Sequence, residues 1–431
     1  MRAAGIVAVC CGFVAAASAN GRAPRTDGIA LDPRDPHAIY IATTFGLLVG
    51  RDGDARALGW ICEDNLGYRG AWNPRYAVAP GGAIFATTVT GLRVSRDGGC
   101  DFATAAQGTR LGDAWLEALD LGPTGEVWVG TAIGGQPNEV YASRDGGAAF
   151  RAVGLESPTL FWKSVKVAPS NFARVYAAGY GVAPPRAYVK TTSDDGGTWA
   201  DVPLAGVQLG APPLVTIAAI DPRAPDAVLA ISVGAADDRA GDRLYRTTSG
   251  GRDGWREVLA TAQPIRGVAF AGARDVYVVT GAQAGVGGAS YRSSDGGATF
   301  AELTSAPKLA CIAVAADGAL LGCAGDAIVR SRDGGATWTT AWRIGELGGP
   351  LACPAGTAEH DQCEIADWPA VKSELGATGS ARLSVPIEKK SDCDAGGGSG
   401  GVFVALCLLT RVLLRRARAS SGSAARARAR A

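Results

Sequence analysis

Histidine is scarce in this chain, which limits the chemistry that the chain can perform. Only His37 and His360 occur among 431 residues, so a Ser-His-Asp triad has little to build on. Cysteines never occur as a C-x-x-C pair, which disfavours a zinc site. The glycine-rich run 281–288 lacks the lysine and the strand-to-helix setting of a phosphate-binding loop. We therefore expect no metal and no cofactor.

Helical patterns are also scarce. Few stretches repeat apolar residues with a period of 3.6, so we expect little helix. Short β-branched or aromatic runs recur instead, as at 83–88 and 275–280, and glycine, proline or aspartate bounds them. With 61 glycines and 47% hydrophobic residues, the chain suits many tight turns around a sizeable core. The pattern indicates an all-β protein.

A short phrase, Ser/Thr-x-Asp-x-Gly followed by Trp or Phe, recurs along the chain. Clear copies begin at Ser95, Ser143, Thr192, Ser293 and Ser331. A weaker copy begins at residue 50, and in another, from residue 248, Gly250 replaces the aspartate. Successive copies start 38 to 56 residues apart, close to the roughly 40–50 residues of a four-stranded propeller blade. The repeat predicts a seven-bladed β-propeller of four-stranded blades over residues 20–345.

The phrase has the chemistry of a tight turn. Hydroxyl and carboxylate groups can hold nearby backbone groups, and paired glycines tolerate positive φ. The terminal aromatic ring can pack between neighbouring sheets. We therefore interpret its aspartates as structural turn locks and not as a catalytic series; they are Asp52, Asp97, Asp145, Asp194, Asp295 and Asp333.

With these turns, residues 22–345 resemble BNR/Asp-box propellers. This superfamily includes sialidases, sortilin-type receptors, xyloglucanase-type hydrolases and photosystem II assembly propellers. The resemblance implies that the turns lie on the rim and that ligands meet the opposite face. Since members of the superfamily perform unrelated tasks on one scaffold, the resemblance implies the fold more strongly than the function.

Aligning the innermost strands places charged and aromatic residues around the mouth of the channel. Such a mixture suits peptides, sugar rings or other polar ligands with flat faces. The other interpretation is that the charges form a solvated ring and the aromatic side chains pack between blades. The candidate ligand-binding residues are Trp72, Trp115, Trp162, Glu117, Lys163 and Arg266.

We expect a non-catalytic binding or scaffolding module for a protein or glycan ligand at the cell surface. The alternative is a glycoside hydrolase, xyloglucanase-like or sialidase-like, that uses two carboxylates across the channel. Its candidate carboxylates are Asp27, Asp64, Asp113 and Glu117. The Arg-Ile-Pro signature of sialidases is absent, and Pro264-Ile-Arg266 does not replace it.

Six cysteines remain between the two ends of the chain, and an even number in an exported protein suggests disulfides. Cys311 and Cys323 lie symmetrically about Asp317-Gly318, so they would face each other across a hairpin. Nearness in the sequence suggests Cys353–Cys363 and leaves Cys62–Cys100 as the third pair. A metal site is the less favoured alternative.

Residues 1–19 have the pattern of a secretion signal, with an apolar stretch that ends at Ala17-Ser-Ala19. After the propeller, we expect a disulfide loop and flexible stalk over 346–395 and a transmembrane helix over 396–414. An Arg-rich cytoplasmic tail would then occupy 415–431. The alternative for this end is a disordered tail after a short apolar run.

The C-terminal end resembles MYXO-CTERM sorting tails of myxobacterial surface proteins, in which a cysteine is central to anchoring. The matching residue here is Cys393. With the secretion signal and the positive-inside rule, we expect an exported, membrane-anchored protein whose propeller lies outside the cytoplasm, at the cell surface or in the periplasm. Once both ends are set aside, the formal charge of the remainder is about −7, which argues against a nucleic-acid partner.

Overall fold

The computed structural model describes residues 22–384, except 36, 52–57, 71, 235–240, 273 and 284. These residues form seven sheets, one for each predicted blade, and the four strands of each blade are antiparallel. Blade 1 contains β1 (Thr26–Leu31), β2 (Ala38–Thr43), β3 (Gly46–Arg51) and β4 (Leu58–Ile61). Blade 2 contains β5 (Tyr76–Val78), β6 (Ile84–Thr88), β7 (Gly91–Ser95) and β8 (Ala103–Thr104). Blade 3 contains β9 (Leu116–Leu121), β10 (Val127–Thr131), β11 (Val140–Ser143) and β12 (Arg151–Ala152).

The other four blades repeat this order. Blade 4 contains β13 (Leu160–Ala168), β14 (Asn171–Val182), β15 (Pro185–Thr192) and β16 (Ala200–Asp201). Blade 5 contains β17 (Val215–Ile220), β18 (Val228–Ser232), β19 (Arg243–Thr247) and β20 (Arg256–Ala260). Blade 6 contains β21 (Ile265–Ala271), β22 (Asp275–Thr280), β23 (Ser290–Ser293) and β24 (Ala301–Glu302). Blade 7 contains β25 (Cys311–Val314), β26 (Leu320–Ala324), β27 (Ala327–Ser331) and β28 (Thr339–Arg343).

Helix is confined to short segments in the described part of the chain. A 3-10 turn at Arg110–Gly112 precedes blade 3, and another at Ile344–Glu346 follows blade 7. A π-helical segment, Glu359–Asp367, continues into helix α1, Trp368–Leu375. The described residues include no helix that is long and apolar enough to cross a membrane.

The core lies along the second strand of each blade. Strands β6, β10 and β18 are buried at every position, because neighbouring blades cover both faces of each sheet. These strands therefore read as continuous apolar runs, and do not alternate as a half-exposed strand would. Outer strands are short: β8, β12, β16 and β24 have two residues each, which leaves little edge for unwanted pairing.

The recurring phrase forms a closed turn between the third and fourth strands. In blade 2, Ser95 Oγ donates to Asp97 Oδ1 at 2.7 Å and accepts from Gly99 N at 2.8 Å. Asp97 Oδ1 also accepts from the backbone N–H groups of residues 100 and 101. The turns around Asp145, Asp194, Asp295 and Asp333 repeat this network. Asp52 lies outside the described residues.

These hydrogen bonds favour the ionised aspartate. The Thr337 hydroxyl and backbone N–H, with Ser331, lower the pKa of Asp333 to about 2. Hydrogen bonds from Thr192 and Thr198 likewise lower the pKa of Asp194. A carboxylate that accepts several donors is a structural acceptor, so these geometries are those of turn locks.

Blade 5 departs from the expected alignment by one residue. Its turn hydroxyl is Thr247, which accepts from Gly251 N at 3.1 Å, as Ser95 does from Gly99. The aspartate position is therefore occupied by Ser249 and not by Gly250. Ser249 Oγ accepts from Asp253 N at 3.0 Å, so a shorter side chain performs part of the role of the aspartate.

Neighbouring turns are joined by arginine side chains. An arginine at the end of the third strand or in the turn donates to a backbone carbonyl of the next blade's turn. The pairs are Arg96–Gly146, Arg144–Asp195, Arg246–Gly296 and Arg292–Gly334, at 2.8–3.4 Å. The turn face of the propeller therefore contributes to inter-blade cohesion.

The segment after blade 7 returns to blade 1, and we call residues 349–384 the strap. Its strand β29 (Gly349–Pro350) pairs in parallel with β4, so the first sheet has five strands. Val371 and Cys363 of the strap are buried. Residues 349–384 thus pack against the propeller, where we expected a loop and a flexible stalk.

The disulfides of the strap differ from the predicted ones. The structure contains Cys62–Cys363 and Cys100–Cys353, so the predicted pairings Cys62–Cys100 and Cys353–Cys363 are wrong. Because the strap crosses blades 1 and 2, each strap cysteine meets a blade cysteine and not its neighbour in sequence. Cys311–Cys323 is present as predicted, between directly opposed residues of β25 and β26.

The predicted signal 1–19, helix 396–414, tail 415–431 and Cys393 lie outside the described residues.

Candidate ligand-binding site

A one-residue bulge recurs near the start of the innermost strands. The pairing register shifts between Thr26 and Gly28 in β1, so Asp27 is the extra residue of that strand. The corresponding shifts make Glu117, Lys163 and Arg266 the extra residues of β9, β13 and β21. A bulge redirects the side chain that it carries. Four sequence-selected residues therefore occupy equivalent positions, whereas the register shift of blade 5 falls further along its innermost strand and makes Ala218 the extra residue of β17.

Blades 3 and 4 are linked at the mouth by an ion pair. Lys163 Nζ donates to Glu117 Oε2, and the same ammonium lies 5.8 Å from the centroid of the Tyr180 ring. Tyr180 stacks on Phe161 with centroids 5.3 Å apart. Burial, with a smaller effect of Glu117, raises the pKa of the Tyr180 hydroxyl. The arrangement presents two rings beside one balanced pair of charges.

Trp72 and Trp115 form a second aromatic pair at the mouth. Their rings meet edge to face, with centroids 5.0 Å apart. Trp115 keeps 39% of its surface exposed, whereas the indole nitrogen of Trp72 is buried and has no hydrogen-bond partner among the described residues. Trp72 thus supports Trp115, and Trp115 is the more exposed ring of the pair.

Trp162 does not take part in this surface. It is only 1% exposed, and its Cβ lies against Gly130, where an added Cβ would approach within 2.9 Å. Side chains alternate along β13, so Phe161 and Trp162 face opposite sides. The assignment of Trp162 as a ligand residue is therefore wrong, because its ring fills the core between blades 3 and 4.

Asp27 has a structural task. Its carboxylate accepts from Asn73 Nδ2 and from Gly285 N, both at 2.6 Å. Gly285 belongs to the glycine-rich loop of blade 6, which thereby reaches blade 1. Arg266 lies beneath this loop, and its Nε donates to Gly281 O at 3.0 Å. The glycine-rich run therefore bridges blades at the mouth.

The other two candidate carboxylates differ in their surroundings. Asp64 forms an ion pair with Arg69, five residues later in the same loop. Asp113 is exposed and follows the 3-10 turn Arg110–Gly112. Three of the four candidates, Asp27, Asp64 and Glu117, thus already serve as acceptors for protein donors.

Sequence reasoning missed Asn73 and Tyr180. Tyr180 lies directly opposite Phe161 in the β13–β14 ladder, so a correct hairpin register would have found it. Asn73 follows Trp72 in a loop without regular structure, and no pattern in the sequence marks its bond to Asp27.

A cluster of Cys62, Glu359 and Cys363 has the composition of a metal site. Both sulfur atoms are joined in a disulfide, so neither offers a thiolate. This cluster lies where the strap is joined to the end of blade 1.

Two surface pockets lie away from the mouth. One of about 610 Å³ lies between β28 and strap residues 378–381. The other, of about 520 Å³, lies against the turn of blade 5. Neither pocket contains a residue that the sequence selected for ligand binding.

Solved structures share this architecture at low sequence identity. The GH74 xyloglucanase from Xanthomonas campestris is 19% identical with a TM-score of 0.54, over 74% of this chain and 54% of that one. An ancestral GH74 enzyme is 15% identical with a TM-score of 0.56, over 74% and 46%. YCF48 from Cyanidioschyzon merolae is 17% identical with a TM-score of 0.47, over 71% and 94%.

The predicted seven-bladed propeller fold is confirmed. The chain spans about half the length of the two GH74 structures, and identities this low show the fold alone. A scan of protein-family models and a search of curated proteins both found no match.

Proposed function

We propose that this chain is a binding module, exported and anchored at the cell surface, that holds a protein or glycan without converting it. The observation that carries the proposal is that two carboxylates at the mouth already bind donors of the protein itself. Glu117 is paired with Lys163, and both oxygens of Asp27 accept hydrogen bonds. A two-carboxylate hydrolase needs one carboxyl group as a proton donor and the other as a base or nucleophile.

The aromatic side chains support the same proposal. Trp115 is accessible, and Phe161 and Tyr180 stack beside the Glu117–Lys163 pair. Exposed rings next to fixed polar groups recognise flat or apolar ligand surfaces through contact area, with the polar groups setting orientation. Such a surface needs no proton transfer to function.

Export is supported by the disulfides, because three such bonds suit an oxidising compartment. Membrane anchoring through residues 396–414 and sorting through Cys393 remain part of the proposal. Cell fractionation tests them: the chain should sediment with membranes, and its recovery from the medium with an intact C-terminus would contradict anchoring.

The ligand test uses the purified, oxidised chain on arrays of glycans and peptides, with hydrolysis followed in parallel. We expect retention of one ligand class and no release of products. Trp115→Ala should weaken that binding roughly 10-fold or more, since buried aromatic anchors dominate such interfaces. The matched control is Phe172→Ala, because Phe172 is 44% exposed at the opposite end of blade 4.

The alternative, a glycoside hydrolase, has its support in the shared fold with the GH74 structures. Turnover of any glycan, lost in Glu117→Gln or Asp113→Asn, would replace the binding proposal with this alternative. Equal effects of the Trp115 and Phe172 substitutions would show that the mouth is not the ligand surface.

A further inference from the structure

Two disulfides fasten the strap to the propeller, and one of them lies at the start of a loop that reaches the mouth. We call residues 62–75, of which 71 is outside the described residues, the mouth loop. It begins at Cys62, which is bonded to Cys363 of the strap, and it carries Trp72 and Asn73. The second disulfide, Cys100–Cys353, fastens the turn of blade 2 to the same strap.

Asn65 joins these parts through its side chain. Its Nδ2 donates to Glu359 Oε2 at 2.9 Å and to the carbonyl oxygens of Gly99 and Cys100 at 3.0 and 3.3 Å. Its Oδ1 accepts from Phe102 N at 3.1 Å. Because Asn65 is buried, these bonds tie the mouth loop to the blade 2 turn and to the strap in one network.

The far end of the mouth loop is held in place by contacts of Trp72 and Asn73. Asn73 donates to Asp27 and accepts from Arg22, and Trp72 packs edge to face on Trp115. Trp115 follows a different loop, so the position of Trp72 decides how that ring is held. Displacement of the strap would therefore be transmitted to the exposed ring at the mouth.

The three disulfides differ in how reagents can reach them. Cys62, Cys363, Cys100, Cys311 and Cys323 are buried, whereas Cys353 is partly exposed and precedes the exposed residues 354–356. A thiolate attacks a disulfide at an accessible sulfur. Attack at Cys353 Sγ would form a mixed disulfide there and release the Cys100 thiolate, which takes up a proton.

We propose that Cys100–Cys353 is a redox latch, whose reduction by a dithiol loosens the strap and the mouth loop and thereby weakens ligand binding at the mouth. The second thiol of the reductant then attacks the mixed disulfide and displaces the Cys353 thiolate, and the reductant leaves as its own cyclic disulfide, so one dithiol is oxidised for each bond that is reduced. The effect on ligand binding rests on the proposed function; the loosening of the mouth loop does not.

The test is hydrogen exchange of the full oxidised chain and of Cys100→Ser/Cys353→Ser. We expect backbone amides of the mouth loop and of β4 to exchange at least ~10-fold faster in the variant, while amides of blades 4 and 5 keep their protection. The matched control, Cys311→Ser/Cys323→Ser, removes a bond within one hairpin and should leave the mouth loop unchanged.

A second measurement applies if the variant fails to fold. The native chain is treated with a limiting dithiol and its free thiols are labelled, and among the six disulfide-bonded cysteines Cys100 and Cys353 should be modified first. Unchanged hydrogen exchange in the mouth loop would overturn the latch proposal. Labelling of the cysteines of all three disulfides at one rate would overturn it as well. Faster exchange without any loss of array binding would refute the ligand effect alone.

Discussion

Glu359 provides the sharpest quantitative prediction. Its carboxyl group is fully buried in the strap, and Asn65 donates to one of its oxygens. The other oxygen has no hydrogen-bond partner within the described part of the chain. Burial raises the pKa of Glu359 from 4.5 to about 9, so the folded protein keeps this group protonated near neutral pH.

The sign of the pH dependence follows from this shift. Between the ordinary pKa of 4.5 and the folded value of about 9, the folded state holds a proton that the unfolded state has released. The free energy of unfolding therefore falls as pH rises through that range, by about 1.4 kcal/mol per pH unit. From about pH 5.5 to about pH 8 this one group removes about 3 kcal/mol.

Glu359→Gln should abolish this slope. The amide has nearly the same size, can accept from Asn65 and cannot ionise. Relative to the native chain, the variant should gain about 3 kcal/mol of stability between about pH 5.5 and pH 8. Urea unfolding of the oxidised proteins, followed by tryptophan fluorescence at several pH values, measures the difference.

Glu364→Gln is the control on the same strap. Arg382 pairs with Glu364 at 2.7 Å and lowers its pKa, so the contribution of Glu364 is lost only at acid pH. Between about pH 5.5 and pH 8, the free energy of unfolding of this variant should change with pH as much as that of the native chain does. If the Glu359→Gln and native curves also run parallel, Glu359 is ionised in the fold and the reasoning fails.

The turns allow two further predictions. Asp295→Ala removes the acceptor for Ser293 and Thr299 and should lower the free energy of unfolding by about 1 kcal/mol; an unchanged urea midpoint would contradict the turn-lock role. Ser249→Asp restores the usual side chain in blade 5, where Asp253 N already donates to Ser249. It should raise the stability by about 1 kcal/mol, and a lower unfolding midpoint would refute the register assigned to that turn.

The propeller could be predicted from the sequence because each blade repeats the same turn phrase, whose hydrogen bonds join residues close together in the chain. Each turn phrase closes on itself through neighbours four residues apart or closer, as Ser95 and Asp97 do, so a short pattern reports real hydrogen bonds. The predicted alignment of the blade 5 turn is one residue off, because Ser249 stands in place of the aspartate that marks the other turns.

The strap could not be predicted because its contacts are distant in sequence. Cys62 and Cys363 are separated by 301 residues, and nearness along the chain favoured the wrong partners. The parallel pairing of Gly349 with Gly59 involves two residues and leaves no periodic signal.

The mouth was predicted in part. Alignment of innermost strands selected Asp27, Glu117, Lys163 and Arg266, which the bulges place at equivalent positions. It failed for Trp162, because the sequence does not reveal which face of β13 meets the next blade.

The long-range disulfides have a consequence for biosynthesis. In a chain that enters an oxidising compartment N-terminus first, Cys62 and Cys100 emerge together, whereas Cys353 follows Cys100 by 253 residues. Oxidation in order of emergence would join Cys62 to Cys100, a bond that the folded protein does not contain. In such a compartment the native bonds would form through a disulfide isomerase or delayed oxidation, and the yield of correctly bonded protein in a heterologous host would depend on which of these the host supplies.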